Sequence, residues 1–284
     1  MLVVTGATGN VGRSLVQMLA AAGEQVTATS RGISDTDVPP GVRHVRSDLI
    51  EAESLRPVFG GADALFLQSG GPSAHLLDPH DILDAAKAGG IRRVVLLSSQ
   101  GVATRPESAS HGDTGRAIED AVRESGMAWT ILRPGGFASN AFAWVESVRT
   151  RREIAAPFAD TGLPVIDPDD IAEVGAVALR EDGRAGHDGR IYELTGPALS
   201  TPRDRAAAIA DALGEPVRFV EQTRDEARAQ MLAFMPEPVV ETTLTILGEP
   251  RPAEQLVSPH VEQVLGRAPR PFADWARRYV AAFR

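Results

Sequence analysis

Met1-Leu2-Val3-Val4-Thr5-Gly6-Ala7-Thr8-Gly9-Asn10-Val11-Gly12 is the stretch on which the reading of this chain turns. Leu2 to Thr5 is a short apolar run of β type. Glycines follow at positions 6, 9 and 12, and from Arg13 to Ala22 the apolar residues Leu15, Val16, Leu19 and Ala20 recur at helical spacing. G-x-x-G-x-x-G spacing carries meaning when a strand precedes it and an amphipathic helix follows it. Gly6 allows the tight turn, Gly9 lets backbone approach a pyrophosphate with no Cβ in the way, and Gly12 lets the helix lie close to the sheet. The helix N-terminus then directs free N–H groups and a partial positive charge at the phosphates. Thr8, Asn10 and Val11 complete this dinucleotide turn. The less favoured alternative is an ordinary β-turn-α loop.

The pattern repeats beyond that turn. Gln25 to Ser30, Val42 to Val45, Ala64 to Gln68 and Val94 to Ser98 read as strands, with helical stretches at Ala52 to Phe59 and His80 to Ala88. Helix alternating with strand predicts an α/β fold with a parallel sheet covered on both faces. A helix from Thr114 to Ser125 closes at Gly126. A sixth strand, Trp129 to Leu132, breaks at Pro134-Gly135-Gly136, and Arg190 to Thr195 is a seventh. After Pro197, helices at Pro202 to Leu213 and Arg224 to Phe234 flank one strand, Val217 to Glu221, and proline is dense. The expectation is a Rossmann-type doubly wound parallel sheet with a smaller, mostly helical C-terminal substrate lobe. Residues 1–136 and 163–196 are assigned to the dinucleotide-binding domain, and residues 137–162 and 197–284 to the lobe.

Composition removes several classes of function. The 284 residues contain no cysteine, which excludes disulfides, thiolate metal sites and cysteine nucleophiles. A net charge of −9 without a basic block argues against nucleic acid or an anionic membrane as partner. No apolar run approaches the ~20 residues of a membrane span, and Gly6-Ala7-Thr8-Gly9 interrupts what could have been a signal peptide. A soluble cytoplasmic protein is expected, monomer or homodimer, with a small-molecule substrate. His44, His75, His80, His187 and His260 are scattered without H-x-x-x-H spacing. Asp167, Asp169 and Asp170 read as helix capping before Ile171, so no metal site is expected.

The second strand ends Thr27-Ala28-Thr29-Ser30-Arg31. No acidic residue occurs between Gln25 and Ser34 to accept from a ribose 2′-OH, and Arg31 stands where a 2′-phosphate wants a cation. This predicts NADP(H) over NAD(H); a solvated surface arginine is the alternative. Asp48, followed by Leu49, is read as accepting from the adenine amino group, as capping the next helix, or both. Gln68-Ser69-Gly70 closes the fourth strand beside the ribose.

These residues carry a resemblance. Thr5 to Gly12, Arg31, Ala85 to Gly89 ahead of Arg93 to Ser99, Ser125 to Pro134, Asp169 to Ala172 and Tyr192 to Gly196 together resemble the atypical short-chain dehydrogenase/reductases of the NmrA-like branch. The resemblance spans nearly the whole chain and weakens after Leu213. It implies the fold and the cofactor. The branch includes quinone reductases, isoflavone-reductase-like enzymes and redox sensors without turnover. In the wider family a serine after strand five works with a Tyr-x-x-x-Lys pair that protonates the substrate oxygen.

That pair is absent. Four residues beyond Tyr192 and Tyr279 lie Gly196 and Phe283, and the single lysine, Lys87, precedes strand five. Counting back from Ser125-Gly126 through Glu119 puts Gly115 at the lysine position and His111 at the tyrosine position, with Ser98 and Ser99 in place. His111 is then either a proton donor, with Arg116 supplying positive charge, or part of a polar loop from Arg105 to Gly115 in which Asp113 or Thr114 caps the helix. The resemblance puts Pro134, Gly135 and Phe137 against the nicotinamide. Asn140, Phe142 and Trp144 either line a pocket or pack on an amphipathic helix. The expected function is an NADPH-dependent oxidoreductase for a small quinone-like or aromatic carbonyl compound, protonated by His111, Ser99 or water. The alternatives are an NADP(H)-binding sensor without turnover and a non-redox isomerase, dehydratase or cyclase.

Overall fold

Seven short strands, the central ones apolar along most of their length, pair side by side, every neighbour parallel. They are β1 (Leu2–Val4), β2 (Val26–Ser30), β3 (Arg43–Arg46), β4 (Ala64–Gln68), β5 (Arg93–Leu97), β6 (Ala128–Pro134) and, after β7 (Glu153–Pro157), β8 (Arg190–Leu194). The order across the sheet in the computed structural model is β3-β2-β1-β4-β5-β6-β8. The structure describes residues 1–32, 38–68, 76–180 and 186–284. Strand order reverses at β1 and β4, and the crevice beyond the carboxyl ends of those strands is where ligands bind in open α/β sheets.

The strand pleat sends alternate residues to opposite cores. Val4, Phe66, Val95 and Leu132 face the helices Asn10–Ala21 and Pro168–Leu179. Val3, Leu65, Leu67, Val94 and Leu96 face the helices Pro79–Ala88 and Thr114–Glu124. Both faces are buried at the centre of the sheet, so β1, β4 and β5 are continuous apolar runs rather than alternating ones. A third core gathers Val148, Ile154, Ile209, Trp275 and Phe283 in the C-terminal region. Its helix Pro202–Leu213 is closed at one end by a capping box between Thr201 and Asp204 and at the other by Gly214 in the left-handed conformation.

All seven expected strands of the main sheet form. Other readings need correction. The first helix begins at Asn10, so Gly12 lies in its first turn. The stretch Ala52–Phe59 is a 3₁₀ turn, Ala52–Leu55, followed by a single α turn, Arg56–Phe59, with Pro57 at its start. β7 was not expected. It pairs in parallel with β9 (Arg218–Gln222) as a separate two-stranded sheet. Its sequence, Glu-Ile-Ala-Ala-Pro, has one β-branched residue and ends in proline, so propensity does not mark it.

Of the three aspartates only Asp167 caps the helix, while Asp169 and Asp170 stand in its first turn, and all three take further partners. Asp167 Oδ1 accepts from Asp169 N at 3.1 Å. Fully buried Asp170 pairs with Arg267 at 2.8 Å and with Arg270, Asp167 pairs with Arg278, and Ser14 Oγ donates to Asp169 Oδ1 at 2.6 Å. Burial pushes the Asp167 carboxyl up, against the opposing pull of Arg278. The cluster joins the C-terminal arginines to two helices of the main sheet.

Candidate dinucleotide and nicotinamide site

The glycine-rich turn fits a dinucleotide on its own geometry. Gly6 has φ of 60°, which a side chain would strain, and a Cβ at Gly12 would collide with the Gly6 carbonyl. Gly9 N donates to Gly6 O at 3.0 Å, closing the turn. Among the described residues no acceptor takes the N–H groups of Asn10, Val11 and Gly12, the orphan donors of a helix start. The Gln68 side chain lies over Gly6 and Gly9, and its Oε1 is buried without a partner. Orphan donors, a buried orphan acceptor and a cradle that a Cβ would fill are what a bound pyrophosphate and ribose complete. Asn10 Nδ2 donates to Ser139 Oγ at 3.0 Å and the Thr8 carbonyl accepts from Arg13, so both side walls of the turn are pinned.

At the adenosine end Arg31 is exposed, and among the described residues it makes no ion pair or hydrogen bond. Nearby, the Ser47 hydroxyl is buried and unpartnered, while Ser30 Oγ bonds His44 Nε2 at 2.7 Å. Asp48 does not cap the next helix, where Glu51 holds the cap position without a side-chain bond. Asp48 Oδ1 instead accepts from Ile50 N at 3.1 Å, closing a turn, and its other oxygen has no partner among the described residues. Leu49 is half-buried against the second core. Ser69 and Gly70 lie outside the described residues.

Beyond the end of β5 the structure brings Ser99 and His111 to the two sides of Gly101. Ser99 Oγ accepts from Gly101 N at 3.1 Å, and a Cβ on Gly101 would lie 2.8 Å from the His111 carbonyl. His111 is half-buried, with Nδ1 bonded to Ser110 Oγ at 2.9 Å. Burial, then the nearby charge of Arg105, lowers its pKa, with Glu254 opposing. The imidazole is therefore neutral at pH 7. Gln100 N donates to Pro134 O at 3.0 Å and Gly135 N to Leu194 O at 2.9 Å, which fixes the Pro134-Gly135 turn beside the end of β5. Phe137 is half-buried and packs against the first core, bridging to Ile166.

Several side chains are occupied differently from expectation. The Ser98 hydroxyl, read as part of the cofactor site, donates to Glu119 Oε1 at 2.6 Å. Arg116 donates to the Pro106 carbonyl at 2.5 Å. Neither Asp113 nor Thr114 caps the helix: Thr114 Oγ1 donates back to Ala109 O at 3.3 Å, and Ser108 Oγ accepts from His111 N at 3.3 Å. Phe142 packs edge-on to Trp275 at 4.9 Å and Trp144 joins the same third core, both within a 3₁₀ segment, Ala138–Trp144. Asn140 is exposed.

The segment from Arg105 to Gly115 is not a free polar loop. It contains a π turn, Ala109–Asp113, and is clamped from the C-terminal region. Arg105 pairs bidentately with Glu254 at 2.7 and 2.8 Å, with the two side chains 8% and 3% exposed. Burial alone would raise the Glu254 carboxyl, but its hydrogen bonds to Arg105 hold it below the ordinary range. Arg105 also donates to Glu249 O, Arg251 pairs with Glu107, Ser108 bonds Thr242 at 3.2 Å, and Ser110 donates to Pro238 O at 3.3 Å.

Sequence reasoning missed Glu119 and Arg133. Glu119 is fully buried and takes Arg133 at 2.9 and 2.7 Å, Arg123 at 2.6 Å and the Ser98 hydroxyl. Burial raises this carboxyl, and Arg133 and Ser98 bring it below its usual value. The cluster locks the ends of β5 and β6, which carry Ser99 and Pro134. A signal existed: Glu119 sits among Ile118, Ala121 and Val122 on the apolar face of an otherwise polar helix, where a carboxylate needs a partner.

The family of NAD(P)H-binding proteins matches the chain over residues 6–182. This chain is an NAD(P)H-binding oxidoreductase of that family, with an NmrA-like fold. The oxidoreductase is 35% identical to (4-alkanoyl-5-oxo-2,5-dihydrofuran-3-yl)methyl phosphate reductase of Streptomyces griseus, over 100% of this chain and 99% of the relative. It is 31% identical to the NAD(P)H azoreductase of Xenophilus azovorans, over 100% of this chain and 99% of that one. Its fold matches the NADPH-dependent quinone oxidoreductase of Escherichia coli in complex with NADPH, with a TM-score of 0.79 at 21% identity, covering 98% and 99% of the two chains.

Proposed function

We propose that this oxidoreductase uses NADPH to reduce a small quinone-like or aromatic carbonyl compound without a tyrosine–lysine pair. Two observations support the reading: a cradle that its glycines leave open for a dinucleotide, and a half-buried histidine at the position to which residue spacing assigns the proton donor. The nicotinamide, when bound, supplies a hydride. Asn10, Val11 and Gly12 would hold the pyrophosphate through their N–H groups and Arg31 the 2′-phosphate. Asp48 and Leu49 would bound the adenine, and Gln68, with Ser69 and Gly70, the ribose. The backbone at Ser98, Pro134 and Gly135 and the ring of Phe137 would wall the nicotinamide. His111, Ser99 or water would hand a proton to the reduced oxygen.

Burial makes the imidazolium, the acid form of His111, the minor form at neutral pH, so the acid help on offer there is small. A reduced quinone oxygen is a weak base and needs little help, whereas a simple ketone needs a phenol-strength donor in the transition state. The two relatives above act on a dihydrofuranone and on azo compounds, both conjugated acceptors, which supports the same class here. We assign cofactor binding to residues 1–136 and 163–196, and substrate selection to residues 137–162 and 197–284, in a monomer or homodimer. The test is direct: purified protein is mixed with NADPH and a panel of quinones, aromatic carbonyls and simple ketones, and loss of reduced-nicotinamide absorbance is followed. Oxidation by quinones well ahead of ketones is expected. Tight NADPH binding with no oxidation across the panel overturns the reading.

A further inference from the structure

The C-terminal region contains a cavity of about 210 Å³ that shares no lining residue with the cradle or the nicotinamide end. Val165, Leu199, Ala208 and Phe272 give it an apolar wall, and Ser200, Asp204 and Arg205 are its polar members. Arg205 is 9% exposed. Among the described residues its side chain makes one hydrogen bond, from Nε to Thr201 O at 3.3 Å, within its own turn of helix. Among the described residues no carboxylate pairs with it. The neighbouring Asp204 has its Oδ2 taken by Thr201 N and Oγ1 at 3.0 and 2.8 Å. The Trp144 ring lies 5.8 Å from the guanidinium carbon, a contact that favours the cation without neutralising it.

The other buried arginine behaves differently. Arg105 has a bidentate carboxylate. Arg205 keeps a fork of donors beside the cavity, and the Ser200 hydroxyl on the same wall is buried with no partner. Burial pushes the Arg205 guanidinium down to about 10, so it is still a cation at neutral pH. Asp204 attracts the cation but makes no hydrogen bond to it, being engaged by Thr201, so the buried guanidinium fork lacks a direct acceptor, and an oxyanion that accepts from that fork and from the Ser200 hydroxyl removes the cost.

We propose that Arg205 and Ser200 form a binding site for a small amphiphilic oxyanion, a carboxylate or phosphate monoester carried on a compact apolar body. The cavity is smaller than the ~300–1,000 Å³ of a site for drug-sized ligands, which excludes a nucleotide and favours a short acyl or alkyl chain. The apolar wall takes the body, and the guanidinium and hydroxyl take the head.

Tryptophan fluorescence and thermal unfolding of the full chain, titrated with octanoate, hexyl phosphate, octanamide and inorganic phosphate, test this. Saturable binding of octanoate or hexyl phosphate is expected, at least about tenfold tighter than octanamide. The tighter of the two anions identifies the head group. Arg205→Met should weaken that anion at least about tenfold and leave octanamide unchanged. If Arg205→Met does not fold, Ser200→Ala and the anion-to-amide ratio of the unaltered protein decide. The proposal is overturned if no anion saturates below about 10 mM, if octanamide binds as well as octanoate, if inorganic phosphate binds as well as hexyl phosphate, or if the foldable variant binds the anion unchanged.

Discussion

The glycine-rich turn and the segment Arg105–Asp113 both follow strands of the same sheet, and they are held in opposite ways. The turn is fixed within seven residues: Gly6 supplies the left-handed backbone, Gly9 bonds back to it, and Gly12 packs on its carbonyl. The second segment has a π turn of its own, but most of its side chains are held from elsewhere. Its guanidinium, hydroxyls and carboxylate are taken by residues about 130–150 positions away, namely Pro238, Thr242, Glu249, Arg251 and Glu254. A site edge can thus be built from local backbone or from distant side chains, and the two should break differently.

The sharpest break is Glu254→Ala. It leaves the Arg105 guanidinium buried and unpaired, which costs about 3–5 kcal/mol. Denaturant midpoints should record that loss, while NADPH affinity of the folded protein stays within about threefold, because the cradle does not touch the pair. A loss below about 1 kcal/mol would mean that the remaining hydrogen bonds carry the segment. Replacing both partners, Arg105→Met with Glu254→Met, should recover most of the stability.

The converse break is Gly12→Ala. One methyl against the Gly6 carbonyl forces the helix start away from the turn, at a cost of about 1–3 kcal/mol. NADPH dissociation constants, read by fluorescence titration, should rise by at least about tenfold. Unchanged affinity would show that the cradle tolerates the shift, and the fit argued from its glycines would fail.

This contrast explains what the amino-acid sequence reveals. The seven strands and the turn follow from apolar runs and glycine spacing, both local patterns. The nearest neighbours of His111 do not. Counting residues places it near Ser99, and the structure brings both to Gly101, but nothing near Arg105 announces Glu254. The same holds for Ser98, whose hydroxyl is taken by Glu119. β7 was invisible for a related reason: its only pairing partner, β9, lies more than sixty residues on. Side-chain pairing across the fold decides such features, and no window of sequence contains both partners.

Arg31→Ala probes the locally legible side again, with a smaller effect. The side chain is exposed and has no partner among the described residues, so stability should hold. A charged hydrogen bond to the 2′-phosphate is worth about 1.5–3 kcal/mol, which weakens NADPH by roughly ten- to hundredfold. NADH should change by less than about threefold, since it lacks that phosphate. Equal losses for both cofactors would remove Arg31 from the choice between them.

The smallest effect, and the finest test of the segment held from outside, is the pH response of His111. Burial and Arg105 lower its folded-state pKa below the ordinary 6.5. Between the folded and unfolded values the unfolded chain binds more protons, so stability is full above pH 6.5 and is lost as pH falls towards the folded pKa. His111→Ala should flatten that limb in thermal unfolding between pH 7 and about 5. Activity should follow the same ionisation with the opposite sign. If the imidazolium hands over the proton, kcat/KM for a weakly activated aromatic carbonyl rises as pH falls below 6.5, and His111→Ala abolishes the rise. For a quinone the variant should lose no more than about threefold, because its reduced oxygen needs little acid. An unchanged carbonyl profile in the variant would assign the proton to Ser99 or to water, and would leave His111 as a side chain packed beside the Arg105–Glu254 clamp.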